Sequence, residues 1–141
     1  MKNCIVLLLF CLVSLNCTTQ KQPPVPKERE DQVTLKPEKN DDGEWDIEVL
    51  DPQWSYFLNA IAQPIAMYSL PTLESRNRML VSEWNSYYYS GRYRNVIESS
   101  IQYDSQENYG LNFNYKLYQV FCFVQWKYGL KLSGLSMTEV R

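Results

Sequence analysis

Apolar residues are distributed along this chain in three regimes. CIVLLLFCLVSL, from Cys4 to Leu15, is a mostly apolar run without a charge; residues 18–44 are polar and aperiodic; from Trp45 onward apolar positions return with regular spacing. In the third regime WDIEVLD sets Trp45, Ile47 and Val49 against Asp46 and Glu48. That period of two predicts a half-buried strand. Asp51-Pro52 then reads as an N-cap followed by proline at the first helical position. Trp54, Phe57, Leu58 and Ile61 come next at i, i+3, i+4 and i+7, predicting a short helix that stops before Pro64. PIAMYSL is a turn or extended stretch leading to a second start signal at Ser69 and Pro71.

The helical pattern is cleanest in TLESRNRMLVSEWNSYYY. At about 100° per residue, Leu73, Asn77, Leu80, Val81, Trp84, Tyr87 and Tyr88 share one stripe, and the run is expected to end before Gly91. NVIESSIQYD alternates Ile97, Ser99, Ile101 and Tyr103 with Glu98, Ser100 and Gln102, which favours a second strand over a short helix. The last helix is expected in GLNFNYKLYQVFCFVQWKYGLKL. There Leu117, Phe121, Val124 and Tyr128 mark one face and Tyr115, Tyr118, Cys122 and Trp126 another. A helix apolar on most sides is a central one, and Gly129-Leu130 forms its expected C-terminal cap. The order is β-α-α-β-α: a small, helix-dominated α+β domain with about three helices and two short strands.

The apolar N-terminal run changes the picture of where this domain sits. Lys2 supplies a positive n-region, and the run is too short for a permanent span, which needs ~20 residues. LVSLNC resembles the lipobox of bacterial lipoproteins, with Ser14 and Asn16 at the positions before the cut and Cys17 as lipid acceptor. A plain secretory signal with Cys17 left free or removed is the alternative. Residues 1–16 are thus read as a signal peptide. Once Cys4 and Cys11 have left with it and Cys17 is acylated, Cys122 remains alone and forms no disulfide in the chain. Two or more acyl chains would make the hold on the membrane effectively permanent. Thr18, rather than Asp, succeeds Cys17 and no acidic cluster comes directly after it. By analogy with lipoprotein sorting rules this predicts the outer membrane, facing the periplasm.

Residues 17–44, the lipidated cysteine and the polar stretch after it, are expected to be a disordered tether. They hold four prolines and no aromatic residue, with seven acids against five bases after Cys17. So little apolar area does not offset the entropy of ordering. Residues 45–141 form one domain, with the final ~9 residues a candidate disordered end. All four Trp, all eleven Tyr and four of the five Phe lie in it, Phe10 being the exception. Its nine acids and eight bases nearly cancel, so it carries no basic footprint for nucleic acid.

The strings EVLDPQW, YSLPTLESRNRMLVSEWN, IQYD, NYGLNFNYKLYQ and WKYGLKL resemble a family of short, uncharacterised lipoproteins of Bacteroidota. The similarity spans roughly residues 45 to 132 and is carried by LESRN…EWN and YGLNFNYKLY, which have the look of packing motifs. The resemblance implies an envelope address and no established activity, so it assigns no catalytic residue.

Histidine is absent from the chain. That removes Ser-His and Cys-His nucleophile pairs and nearly all catalytic zinc sites. No Gly-rich phosphate loop or HExxH pattern occurs, and no cofactor or metal is expected. Glu83, Glu98, Asp104 and Glu107 could in principle supply paired carboxylates for a hydrolase, but none stands out, and the domain is read as non-catalytic. Asn77 is expected to be a buried amide satisfying backbone groups of an adjoining loop, or else a ligand contact. The aromatic load is the better lead. Three consecutive helical tyrosines, Tyr87 to Tyr89, fan over about 200°, so Tyr89 must point outward. SGRYRN comes directly after them. Tyr89, Arg92, Tyr93 and Arg94 are therefore the candidate binding patch, since exposed Tyr and Arg are enriched at interfaces. The expected partner is another envelope protein, with a glycan such as peptidoglycan as the alternative.

Overall fold

The computed structural model describes residues 35–135. Cys17, the 1–16 leader and most of the 17–44 stretch lie outside the described residues. In chain order the elements are an antiparallel hairpin, β1 (Glu38–Lys39) and β2 (Trp45–Asp46), then α1 (Trp54–Tyr56), which widens into a π-turn over Phe57–Ile61. A 3₁₀ turn at Ile65–Met67 leads to two long helices, α2 (Leu70–Ser90) and α3 (Gly110–Tyr128). Among the described residues this is a small α+β domain of three helices and a two-stranded sheet, the strands preceding the helices.

The core is built around α3. Every residue from Leu117 to Val124 is buried, and eight successive helical positions point in all directions, so the other elements must wrap this segment. Phe121 meets Trp84 of α2 edge-on at 5.8 Å, while Phe123 meets Trp54 at 5.4 Å and Phe57 at 5.3 Å. Phe121 and Phe123 lie about 160° apart around a helix, so α2 and α1 pack on opposite flanks. The stripe on α2 is the expected one: Leu73, Asn77, Leu80, Val81, Trp84 and Tyr88 are buried and Tyr87 is half-buried. Fully burying each large apolar side chain contributes roughly 1.5–3 kcal/mol before entropy is counted.

A polar contact sits inside this apolar packing. Asn77 Nδ2 donates to the Asn114 carbonyl at 2.9 Å and to Asn114 Oδ1 at 3.0 Å, both residues being fully buried. Asn114 Nδ2 donates back to the Gly110 carbonyl at 2.8 Å, and Tyr103 Oη donates to Asn114 Oδ1 at 2.9 Å. Burial, reinforced by the charge of Glu74, pushes the Tyr103 phenol up to about 12, so it stays a neutral donor. Asn77 is thus a helix-to-helix tie, and the backbone group it serves lies on α3. Nothing in the structure explains Asn77 Oδ1 or the Gln119 carboxamide, both buried without a hydrogen-bond partner among the described residues.

The second strand expected at 97–103 does not form. Its burial alternates as expected at Ile97, Glu98 and Ser99 and again at Ile101, Gln102 and Tyr103, yet its pairing is one parallel bridge between Ile101 and Leu35. Side chains of α2 take the place of the missing neighbour. Asn85 Nδ2 donates to the Ile101 carbonyl and Asn85 Oδ1 accepts from the Ile101 N–H, both at 2.8 Å. Trp84 Nε1 donates to the Ser99 carbonyl at 2.8 Å. The first strand is also shorter than its pattern: only Trp45 and Asp46 pair, although Ile47 is buried and Val49 half-buried. Periodicity of two reports which side chains face a core, and pairing needs a neighbour besides.

That neighbour comes from residues placed by composition in the tether. Glu38 pairs with Asp46 and Lys39 with Trp45. The turn between them is closed by Asn40, whose Oδ1 accepts the N–H groups of Asp42 at 3.1 Å and Glu44 at 2.9 Å. The folded unit therefore includes residues 35–44, ahead of the expected boundary at Trp45. At the other end Leu130 and Leu132 are buried, and the Ser133 N–H donates to Glu83 Oε2 at 2.8 Å. The chain is thus held through residue 133, into the stretch expected to be a disordered end.

Two ion pairs fasten the entry segments to α3. Lys116 Nζ meets Asp46 Oδ1 and Lys127 Nζ meets Asp51 Oδ2, each at 2.6 Å. The hydrogen bond between Lys127 and Asp51 holds the Asp51 carboxyl below the usual carboxylate range and raises Lys127. Asp51 Oδ1 accepts the Gln53 N–H at 2.9 Å, so it shapes the turn while Gln53 takes the N-cap position. Gly129 ends α3 in the left-handed conformation, φ 66°, with Leu130 buried behind it, as its sequence predicts. No helix among the described residues is long and apolar enough to cross a membrane.

Asn85→Ala strips both backbone groups of Ile101 of their partner, and an unpaired buried polar group costs roughly 1–3 kcal/mol. Urea denaturation should show a loss of about 2 kcal/mol, with faster amide hydrogen exchange at Ile101. Unchanged stability and exchange would show that Asn85 does not stand in for a strand.

Candidate functional site

The end of α2 is shaped by one glycine. Gly91 adopts φ 72°, its N–H donates to the Tyr88 carbonyl at 3.1 Å, and the Arg92 N–H reaches the Tyr87 carbonyl at 2.9 Å. This left-handed ending turns the chain sharply and brings SGRYRN back over the last helical turn. Glycine is required by the backbone here, because a side chain would be strained at that φ. It also leaves room for Arg94, which folds back so that its Nε donates to the Gly91 carbonyl at 3.1 Å.

Tyr93 has φ 54°, the one non-glycine residue at positive φ among the described residues. That conformation costs a bulky side chain roughly 1–2 kcal/mol, and contacts around it hold it in place. Its ring stands edge-on to Tyr87, centroids 5.1 Å apart with an interplanar angle of 75°. Arg92 sits in the corner between them, its guanidinium carbon 4.8 Å from the Tyr87 ring centre and 5.2 Å from that of Tyr93. Arg92 Nη2 donates to Tyr93 Oη at 3.3 Å. Each cation–π contact of this kind contributes about 0.5–1 kcal/mol at an exposed site.

Behind the rings lies a carboxylate already in use. Tyr87 Oη donates to Glu83 Oε1 at 2.7 Å, Ser133 Oγ donates to the same oxygen at 2.9 Å, and the Ser133 N–H takes Oε2. The hydrogen bond to Glu83, then burial, push the Tyr87 phenol above its ordinary value. Glu83 therefore ties the C-terminal segment to α2 and orients Tyr87. Asp104, another carboxylate singled out from sequence, accepts the Gln106 N–H at 2.9 Å in an exposed turn.

Of the four residues expected to form a patch, Arg92 and Tyr93 come together and Arg94 flanks them on the same turn. Tyr89 is 64% exposed and its ring packs on Tyr88 at 5.2 Å, on another side of α2 from Tyr87. The site contains two residues that pattern reasoning does not place there. The helical stripe turns Tyr87 inward, and the sequence offers Glu83 only as an acid. The i, i+4 spacing of Glu83 and Tyr87 is a signal that could have joined them. No group of three metal-ligating side chains occurs among the described residues.

Fold and site together describe a small α+β domain with an exposed Arg–Tyr corner on the turn after its second helix. The chain belongs to a family of unknown function, DUF6146, which it matches over residues 5–140. No curated protein and no solved structure matches it.

Glu83→Gln keeps the shape but removes the charge that receives three donors. Hydrogen bonds to a charged group are worth about 1.5–3 kcal/mol. The single amide oxygen of glutamine can keep the Tyr87 and Ser133 hydroxyls, while its NH2 leaves the Ser133 N–H without an acceptor. A loss of about 1–2 kcal/mol in urea denaturation is expected, with Ser133 amide exchange accelerated. Full parental stability would remove Glu83 from its tying role.

Proposed function

We propose that this chain is a lipid-anchored cell-envelope protein whose folded domain is a non-catalytic interaction module. Signal cleavage before Cys17 and acylation of that thiol would place it in the outer membrane, facing the periplasm, as in the Bacteroidota lipoproteins it resembles. The apolar run with Cys17 at its end supports this reading. A polar, proline-bearing stretch between them would let the domain reach a partner away from the lipid surface.

The observation that carries the interaction reading is the Arg92 corner. An arginine held within cation–π distance of two tyrosines, on a turn that holds Tyr93 in a disfavoured conformation, is costly to build. Rigid aromatic and guanidinium groups of this kind lose little entropy on binding. A hydrolase is disfavoured because Glu83, the carboxylate bound by Tyr87 of the corner, is already engaged by three internal donors. Glycan binding through Tyr89 and Tyr93 as one platform is the second reading, supported by the exposure of Tyr89. It is weakened because the two rings rest on different neighbours, Tyr88 and Tyr87.

Two measurements test the proposal in the native host. Radiolabelled palmitate should enter the protein and fail to enter Cys17→Ala, which should leave the membrane fraction; an unlabelled parent would refute the anchor. A photo-cross-linking amino acid at position 93 should give one discrete adduct absent from a control at Lys131. Identical adduct patterns from the two positions would refute the interaction surface.

A further inference from the structure

We infer that the Arg92 corner receives a carboxylate from an acidic peptide segment of the partner, with the Arg92 guanidinium as the principal contact. This rests on the interaction reading above and supplies its chemistry. Charge points there first. Arg92 and Arg94 make no ion pair among the described residues, whereas Lys116 and Lys127 are each matched to an aspartate. The one carboxylate built into the site, Glu83, is held by Tyr87 and Ser133 and is not offered to Arg92. Two exposed positive charges are therefore uncompensated on a chain whose formal net charge is −2.

Geometry narrows the ligand. The Arg92 guanidinium carbon lies 4.8 and 5.2 Å from the two tyrosine ring centres, so aromatic surface steadies the group. The N–H groups on its edges lie in the guanidinium plane, and one of them is engaged, by Tyr93 Oη at 3.3 Å. A planar fork with free edges fits a planar carboxylate through two parallel hydrogen bonds. Arg94 bends back to the Gly91 carbonyl, so the corner presents a single fork; a phosphate dianion is better met by several converging cations. Tyr87 and Tyr93 stand nearly perpendicular with the guanidinium across them, which leaves no shared flat platform for a sugar ring. Their edges instead suit the apolar parts of a peptide flanking the acid.

The full chain in zwitterionic detergent can be titrated with a fluorescein-labelled dodecapeptide alternating glutamate and serine, and with its glutamine counterpart. The glutamate peptide should bind saturably and at least tenfold more tightly than the glutamine one. Arg92→Gln should weaken it tenfold or more and Arg92→Lys several-fold, with Arg78→Gln within twofold of the parent. Unchanged thermal unfolding of the Arg92 variants would show that folding is not at issue. Equal affinity for the two peptides, or an Arg92→Gln chain that binds like the parent, overturns the inference. If cross-linking from position 93 still captures a discrete partner in that event, the interaction reading stands and only its acidic chemistry falls. Retention on purified cell-wall sacculi that depends on Tyr89 and not on Arg92 would overturn the inference in favour of a glycan.

Discussion

The structure depends on a pair of asparagines that hold two helices in one register. Apolar packing alone would let α2 slide or rotate against α3, because α3 is greasy on nearly every side. A hydrogen bond from Arg76 to Tyr118 Oη at 2.6 Å also crosses the interface, but it is only partly buried. The Asn77–Asn114 contact removes that freedom. Both side chains are fully buried, and a slip of either helix would leave further amide groups without partners in a medium that penalises them. Tyr103 joins the same contact from the loop before α3. The connection between the helices is thereby pinned near its far end, as Asn85 and Trp84 pin it at Ile101 and Ser99.

From that register the exposed corner results. α2 is fixed, so its last turn and the Gly91 reversal are fixed, and Tyr87 projects where Arg92 and Tyr93 can close on it. Glu83, one turn earlier, draws the C-terminal segment across through Ser133. The corner proposed as a binding surface is thus mounted on a helix that is held by its core contacts. Such mounting keeps a binding group preorganised and limits the entropy lost on contact.

Much of this is legible in the residue pattern, for physical reasons that can be named. The stripe Leu73–Tyr88, the all-round burial of α3, the Gly91 and Gly129 endings and the inward placement of Asn77 are consequences of local geometry. The α+β class derives from them. The strands are harder. Around Ile101 the alternation is real, but its backbone partners are side chains 15 and 16 residues upstream, which no periodicity encodes. The hairpin is hidden because NDDG sits in a charged, proline-bearing stretch whose average composition resembles a linker. Averages conceal a turn that needs only four residues. In the candidate site, exposure of Tyr89 is a consequence of helix geometry, and that of Arg92, Tyr93 and Arg94 of their place on the turn after Gly91. Their division into an Arg92–Tyr93 corner and a separate Tyr89 depends on the reversal at Gly91 and on a contact with Ser133 far along the chain.

If the two asparagines set the register, they must act on one another across the helix interface. A double-mutant cycle of Asn77→Ala and Asn114→Ala, measured by urea denaturation of the full chain in detergent, tests this most directly. A coupling energy of at least about 1 kcal/mol is expected, because the second substitution finds its partner already gone. Losses that add to within about 0.5 kcal/mol would contradict it and would leave apolar packing and the Arg76–Tyr118 hydrogen bond to set the register.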